Sequence, residues 1–488
     1  MRLPIRPLTL LATIALAPGL LLAGASAQGT AAPSPSGPEA AKRGPAGTWT
    51  KLNTAGINNF SAPTFYRDTD GILHILHVQE SGDLYDIREN EVGKNGTRIK
   101  SRTALNNWEA IDDPAAMAMS GGGVRLAFGG QRTDDTDEYY SKGQMYTATS
   151  DGTGTWTLPH ERLGQSNTAY GSYGTGAVTT SSGTPVAAYA LNGDLTWHTG
   201  TLPGDTVGTD ERHNVGSGSI YHTTLIRDGS KVYAAWYANG SAASKQGIFV
   251  KQIEPTVGPT IKAPKSTVTF AGKPSSLEPG GPVAMVRRTT GGVYLAYCVG
   301  YPSCSYIGMW KLGTSTVSKV PGSANASTNI SLAAASGGRM WVAWEKDDKV
   351  YATRTAARGL RTSYTRVLPA PRGSGGFIYG VYLGSSYSRG ELVVNTGTGF
   401  YHQQLVPGLS LSASPVRWRA GKAQVVKFRA TDAGKPVAGV LVKAFGKKCR
   451  TKATGYCKIS FPKMSARRGK AVGIKSGYFK ATRTLRIR

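Results

Sequence analysis

Carboxylates and tyrosines are concentrated in one short segment, DDTDEYY, which spans residues 134–140. Carboxylate oxygens are ligands for calcium, and tyrosine rings can stack on sugar rings. A solvated surface loop more commonly explains such a pattern, so we expect no cofactor, with calcium as the alternative. The candidate ligand-binding residues of this segment are Asp134, Asp135, Asp137, Glu138, Tyr139 and Tyr140.

A second group of acids, Glu109, Asp112 and Asp113, lies in the segment NWEAIDDPA at 107–115. Pairs of carboxylates hydrolyse glycosidic bonds, and their partners can come from distant parts of a chain. A polar connector between strands is the favoured alternative. Tyr301, in the loop between Cys298 and Cys304, is a further candidate ligand-binding residue.

Sequence motifs for other chemistries are missing. The chain has no Gly-x-Ser-x-Gly elbow, no His-Glu-x-x-His pair, no P-loop and no dinucleotide fingerprint. His74 and His77 are three residues apart on a predicted strand, so they point to opposite faces and cannot share a metal ion. We expect His198, His222 and His402 to be core or channel residues. Catalysis is left open, and binding without catalysis is favoured.

The elements that must position these residues are repeated strands. Apolar strings begin at glycines that step by 52, 60, 46, 63, 46 and 52 residues, and a second apolar strand bearing an aromatic residue follows each. A period near 50 in an all-β chain is typical of propeller blades. The sequence predicts an all-β fold with a seven-bladed propeller, six or eight blades being the alternatives. The anchor glycines are Gly71, Gly123, Gly183, Gly229, Gly292, Gly338 and Gly390.

The ends of this repeat predict how the ring closes. The last copy ends after GFYHQQL without an outer strand, whereas GTWTKLNT at 47–54 is a strand without partners of its own. Pairing the two would remove both exposed sheet edges. A separate short inner strand is expected before most of the glycines, such as PAAMAMS at 114–120.

The segment TSDGTGTW, Thr149 to Trp156, resembles the Asp-box turns of sialidase-like secreted bacterial propellers. That resemblance implies a propeller, while an Asp-box itself is a structural turn. The arginine motif of sialidases is absent from the chain after residue 27, so no catalytic residue is carried over. The resemblance leaves a divergent glycoside hydrolase or polysaccharide lyase at the channel mouth as the alternative function.

The last 80 residues carry most of the positive charge. Residues 409–488 contain 21 Lys and Arg against one acid, Asp432, whereas the whole chain has a net charge of +28. The order KPVAGVLVKAF, CRTKATGYCKISF and SGYFKATRTLRIR resembles carboxypeptidase-regulatory-like and bacterial Ig-like sandwiches, which implies a small β-sandwich. The excess of positive charge in residues 409–488 predicts contact with an anionic polymer. A face that is charged only for solvation is the alternative. The candidate polyanion-binding residues are Arg417, Arg419, Lys447, Lys448, Arg450, Arg467 and Arg468.

The remaining features concern location and organisation. Arginines, an apolar run and Ala25-Ser26-Ala27 predict a signal peptide at 1–27, followed by a flexible linker at 28–46, the propeller at 47–408 and the basic domain at 409–488. Two disulfides are expected, one between Cys298 and Cys304 and one between Cys449 and Cys457. We expect a secreted or envelope-associated monomer without a transmembrane segment. Its partner would be anionic cell-wall polymer, polysaccharide or protein, and not nucleic acid.

Overall fold

The computed structural model describes most of the chain after residue 47. The ranges are 48–53, 61–119, 122–132, 144–152, 154–157, 162–163, 174–191, 194–200, 206–209, 220–238, 243–270, 273–275, 281–300, 304–384 and 389–488. These residues form sheets that are antiparallel except where β32 pairs with β39, and they include a single 3-10 turn at Ala243–Lys245. The all-β prediction is confirmed. In this part of the chain, no helix has the length and apolar character needed to cross a membrane.

The first strands form one short edge strand and an eight-stranded sheet. β1 is the edge strand, and β2 to β8 lie in chain order with β9 paired to β7. Their bounds are β1 Thr50–Lys51, β2 Thr64–Arg67, β3 Leu73–Ser81, β4 Leu84–Val92, β5 Arg98–Ala118, β6 Val124–Arg132, β7 Gln144–Ser150, β8 Trp156–Thr157 and β9 Arg162–Leu163.

Four-stranded sheets and one short pair follow. The sheets are β10–β13, β14–β17, β20–β23 and β24–β27, and β28–β30 are completed by β1. The strands are β10 Gly176–Thr179, β11 Pro185–Leu191, β12 Asp194–Thr199, β13 Thr206–Thr209, β14 Ile220–Asp228, β15 Lys231–Ala238, β16 Gly247–Glu254, β17 Ile261–Lys262, β18 Val268–Phe270, β19 Lys273–Ser275, β20 Met285–Arg287, β21 Val293–Val299, β22 Tyr306–Lys311, β23 Val317–Lys319, β24 Ile330–Ala335, β25 Arg339–Lys346, β26 Lys349–Arg354, β27 Arg366–Pro369, β28 Ile378–Gly384, β29 Gly390–Thr396 and β30 Gly399–Leu405.

Consecutive sheets pack face to face, which gives a propeller arrangement. Apolar side chains of one sheet meet those of the next, as where Trp197 packs with Trp236 and Leu73 with Phe400. The last contact joins the final sheet to the first. Inner and middle strands are therefore buried on both faces, which explains their continuous apolar sequences.

The inner strands surround one channel, a cavity of about 290 Å³ that is lined from every part of the ring. Backbones approach closely here. A Cβ on Gly176 would lie 2.7 Å from the backbone nitrogen of Leu225 on the neighbouring sheet, so a side chain at this position would force the two strands apart.

The predicted ring closure is confirmed. β1 pairs antiparallel with β30, with Thr50 opposite His402 and Lys51 opposite Tyr401. The inner strand predicted at 114–120 is present up to Ala118 and pairs with β6. It is not a separate strand, because β5 runs unbroken from Arg98 to Ala118 and joins two successive four-strand groups into one sheet. Irregular pairing near Trp108 and Asp112 lets this one long strand turn between them.

Residues 409–488 form two sheets packed over one core, here called the C-terminal sandwich. One sheet contains β31, β33, β34 and β37, and the other has the order β32-β39-β38-β35-β36. Trp418, Phe428 and Phe461 fill the space between them. The strands are β31 Ser410–Ser414, β32 Arg417–Trp418, β33 Gln424–Asp432, β34 Lys435–Pro436, β35 Leu441–Ala444, β36 Lys447–Arg450, β37 Tyr456–Phe461, β38 Arg467–Ile474 and β39 Ala481–Ile487.

Both predicted disulfides are present. The Cys298–Cys304 disulfide closes the loop between β21 and β22. The Cys449–Cys457 disulfide joins β36 to β37, strands of different sheets, and therefore fastens the two layers of the sandwich together. The number of blades and the Ig-like type of the sandwich stay predictions.

Candidate functional site

Alternation in the basic strands separates an apolar face from a charged one. In β39, Leu485 and Ile487 are buried in the sandwich core, and Arg486 lies between them on the outer face. In β38, Ala471 is buried while Arg468 and Lys470 are exposed. A strand places successive side chains on opposite faces, so the apolar positions that fold this sheet also set the cations on its outer surface.

Strand register brings three arginines side by side. Arg417 on β32 is opposite Arg486 on β39, and Arg468 on β38 is opposite Arg486 from the other side. Neighbouring strands are about 4.8 Å apart, and like charges directly opposite one another destabilise a sheet. This arginine row therefore costs folding free energy that a bound anion would offset.

The same face continues across the other strands of the sheet. Lys443 is opposite Lys448, and Arg450 follows on the edge strand. We call these seven side chains the cationic face, and six of them are exposed while Arg486 is half-buried. Its members are Arg417, Lys443, Lys448, Arg450, Arg468, Lys470 and Arg486.

The acidic residue closest in sequence to the cationic face does not neutralise the charge of that face. Asp432 is the only acidic residue of 409–488, and it is 1% exposed. Its carboxylate pairs with Arg354 and Arg339 of the propeller. Among the described residues, no carboxylate pairs with any member of the cationic face. Positive charge is therefore concentrated on this face without an acidic partner among the described residues.

Four of the seven predicted polyanion-binding residues, Arg417, Lys448, Arg450 and Arg468, belong to this face. The other three are exposed but lie outside it. Arg467 points towards the core side, with its guanidinium 4.7 Å from the ring centre of Phe445. Lys447 precedes the face at the β35–β36 hairpin, and Arg419 follows β32. The prediction missed Lys443, Lys470 and Arg486, although the alternating patterns of LVKA, RRGKAV and RTLRIR, which contain them, were the signal.

The second sheet of the sandwich presents a smaller charged surface. Lys427 is opposite Lys458, and Arg429 is opposite Tyr456. The Lys427 ammonium lies 4.2 Å from the ring centre of Tyr456, and the Arg429 guanidinium lies 5.3 Å from it. This surface carries three cations, two of which are engaged with one aromatic ring.

The acids predicted at the channel separate in the structure. Asp113 lines the channel, is buried, and accepts a hydrogen bond from the backbone nitrogen of Ala62 at 2.5 Å. Glu109 is exposed and accepts from Gln131 Nε2 at 2.7 Å. The Asp112 side chain, residues 134–140 and Tyr301 lie outside the described residues. Tyr382 also lines the channel; its burial, with the charge of Asp113 adding to it, raises the pKa of its hydroxyl.

A buried polar network joins β2, β3, β4, β5 and β8. Glu89 Oε1 accepts from Tyr66 and His74, each at 2.6 Å, and its Oε2 accepts from Arg102 at 2.8 Å and Trp156 at 3.0 Å. Burial alone would raise the pKa of Glu89, but these hydrogen bonds lower it to about 2. All four contacts are internal to the protein, so this carboxylate has a structural role.

The five histidines in the described part of the chain are buried, as expected for His198, His222 and His402. His74 faces Glu89, while His77 faces Phe400, so the two lie on opposite faces of β3. Within the described part of the chain, no group of three His, Cys, Asp or Glu side chains is arranged to hold a metal ion.

The two ends of the Asp-box-like segment pair with each other. Ser150, the last residue of β7, pairs with Trp156 of β8, and Trp156 then donates its indole hydrogen to Glu89. Trp156 thus connects β8 to the hydrogen-bond network around Glu89.

Comparisons with known proteins identify neither a family nor a curated relative, since no family model and no curated protein matches this chain. Solved structures give distant matches. A protein of unknown function from Dyadobacter fermentans is 9% identical, with 73% of this chain and 98% of that chain covered and a TM-score of 0.41. A polysaccharide lyase, an ulvan lyase, is 11% identical, with 72% and 95% covered and a TM-score of 0.40. A six-bladed lectin from Aleuria aurantia is 12% identical, with 72% and 95% covered and a TM-score of 0.34.

Proposed function

We propose that this chain is a secreted binding protein whose basic C-terminal sandwich associates with an anionic polysaccharide or cell-envelope polymer. The observation that carries the proposal is the cationic face, seven positive side chains on one sheet surface with no described carboxylate partner. The two disulfides support export, because such bonds persist in oxidising compartments. The predicted signal peptide at 1–27 belongs to this proposal.

The propeller would supply a second binding face for glycan or protein. We count the eight-stranded sheet as two blades, which with the five four-stranded sheets gives seven, and we class the C-terminal sandwich as Ig-like. Two-carboxylate hydrolysis needs a pair of acids, whereas the described channel lining contributes one, Asp113, among mostly small and aliphatic residues. This composition supports binding over the alternative of a glycoside hydrolase or lyase.

The test uses the full chain after the predicted signal peptide. It is applied to columns carrying dextran sulfate, polygalacturonate or a neutral arabinan, and the eluates are assayed for new reducing or unsaturated ends. We expect salt-sensitive retention on the anionic columns, passage through the neutral one, and no new ends. Equal behaviour on all three would contradict polyanion binding, and new ends would establish catalysis instead.

A further inference from the structure

The C-terminal sandwich has two distinct ends, which strand direction defines. β33 ends at Asp432, and β39 begins two residues after Phe479. Both residues contact the propeller. At the opposite end, Gln424 pairs with Phe461 and Arg467 with Ile487. We call the first the docked end and the second the distal end.

The docked end is fixed to the propeller by several contacts. Asp432 pairs with Arg354 and with Arg339, and the Arg366 guanidinium lies 4.2 Å from the ring centre of Phe479. The backbone is also joined, because the nitrogen of Phe479 donates to the carbonyl of Pro407 at 2.9 Å. Separating the partners of an ion pair this buried strongly destabilises the folded protein, because each charge is left without its counter-charge. The sandwich therefore has one orientation on the ring.

This junction lies on one face of the ring. Arg339 begins β25 and Arg354 ends β26, and the turn between these strands, residues 347 and 348, is at their other end. The Cys298–Cys304 loop lies at the same end as that turn, since Cys304 pairs with Ala326 and Lys346 bonds the carbonyl of Ala324. The disulfide loop and the sandwich thus occupy opposite faces.

The arginine row lies at the distal end. Arg486 is seven residues beyond Phe479 along the chain, about 23 Å at 3.3 Å per residue, and its neighbours Arg417 and Arg468 share that level. Arginine binds oxyanions through two parallel N–H bonds, which gives directional recognition that a lysine does not.

We propose that the distal arginine row is the attachment point for a linear anionic polysaccharide, and that the junction at Asp432 holds the disulfide-loop face of the propeller turned away from that polymer. This inference rests on the proposed function and specifies its geometry. The sandwich would then bind the polymer, and the channel mouth on the disulfide-loop face would stay accessible to a second ligand.

The first experiment asks whether the arginine row, rather than net charge, binds the polymer. One variant of the full chain carries Arg417→Ala, Arg468→Ala and Arg486→Ala. Its charge-matched control carries Lys427→Ala, Arg429→Ala and Lys458→Ala on the other sheet. Binding to dextran sulfate, polygalacturonate and polyphosphate is measured at fixed salt. We expect the row variant to raise the dissociation constant roughly tenfold or more, and the control to change it far less. Equal losses would overturn the inference.

The second experiment measures orientation. All four cysteines are in disulfides, so one introduced surface cysteine is the single reactive thiol. Lys463→Cys places it in the distal loop, and Lys349→Cys places it beside the turn on the disulfide-loop face; both positions are exposed. Maleimide labelling is timed with and without dextran sulfate. We expect polymer to slow labelling several-fold at 463 and to leave 349 unchanged.

The outcomes distinguish this inference from the proposed function. Absence of binding to every anionic polymer would overturn both. Binding that protects position 349, both positions, or neither would overturn the orientation alone and leave polyanion association standing. Selective binding of the sulfated, carboxylated or phosphorylated polymer identifies which anionic group the row accepts.

Discussion

Arg354 and Asp432 form a buried ion pair that joins the propeller to the C-terminal sandwich. The Arg354 side chain is 7% exposed and that of Asp432 is 1% exposed, and Arg339 lies 3.5 Å from the same carboxylate oxygen. The only acid in the basic domain is thus used for docking. The domain is an integral part of the molecule, although its composition suggests a detachable polycationic tail.

Replacing Asp432 by Asn should destabilise the protein by about 3 to 5 kcal/mol, because the buried Arg354 and the half-buried Arg339 lose their counter-charge. Thermal unfolding measures the change, and limited proteolysis near residue 408 should become faster. Asp347→Asn, at an exposed turn, is the control and should have little effect. Unchanged unfolding in Asp432→Asn would mean that the pair does not hold the two parts together.

Glu89→Gln should also cost about 3 to 5 kcal/mol at pH 7, since it removes a buried charge from Arg102 and His74. The folded pKa of Glu89 is lowered to about 2 from 4.5. Its stabilisation is therefore complete above pH 4.5 and is lost as the pH falls towards 2. Urea unfolding of both proteins at pH 7 and pH 3 should show a smaller difference at the lower pH. Glu80→Gln, on the exposed end of β3, is the control.

His77 should make the protein less stable in weak acid. Burial, with the charge of Arg88 adding to it, lowers the pKa of His77 to about 3 from 6.5. Below pH 6.5, His77 is therefore protonated in the unfolded chain but not in the folded one. The free energy of unfolding then falls by up to about 1.4 kcal/mol per pH unit. His77→Asn should remove this slope in urea unfolding at pH 7, 6 and 5. Parallel slopes in the two proteins would contradict the assignment.

Removal of the Cys449–Cys457 disulfide should destabilise the sandwich by about 2 to 3 kcal/mol, because the closed loop is short. The double substitution Cys449→Ser and Cys457→Ser is compared with wild type by thermal unfolding. The matched control is the Cys298→Ser and Cys304→Ser pair, which opens a loop of the propeller and should leave the sandwich unaffected. A loss of sandwich stability in the control would show that the two parts unfold together.

Three features of the fold could be predicted from short segments of the sequence. Alternating apolar strands predicted an all-β chain, the close cysteine pairs predicted both disulfides, and the unpartnered strand at 47–54 predicted the contact with β30. The inner strand expected at 114–120 is present, but it is continuous with the strand before it, because the polar connector NWEAIDD itself takes the extended conformation within β5.

The functional surfaces were harder to predict because they depend on register between distant strands. Arg417 and Arg486 become neighbours only when β32 pairs in parallel with β39, and nothing in either segment specifies that pairing. Asp432 looks like an ordinary turn residue in TDAGKP, and its partners Arg339 and Arg354 lie in a different part of the fold. Glu89 likewise meets Trp156 through the packing of one sheet.

The pairing of β1 with β30 has a consequence for biosynthesis. The strand that closes the ring, Thr50–Lys51, is made before every other strand of the ring, whereas its partner at Gly399–Leu405 is made after all of them. Until residue 405 has emerged, the earliest strand has no edge to join, and the sheets that will meet at the seam keep apolar faces in water. A chain halted before that point forms an open arc whose two edge strands keep unpaired backbone groups. The emergence of β30, rather than the folding of any single sheet, thus sets the moment at which the ring can close.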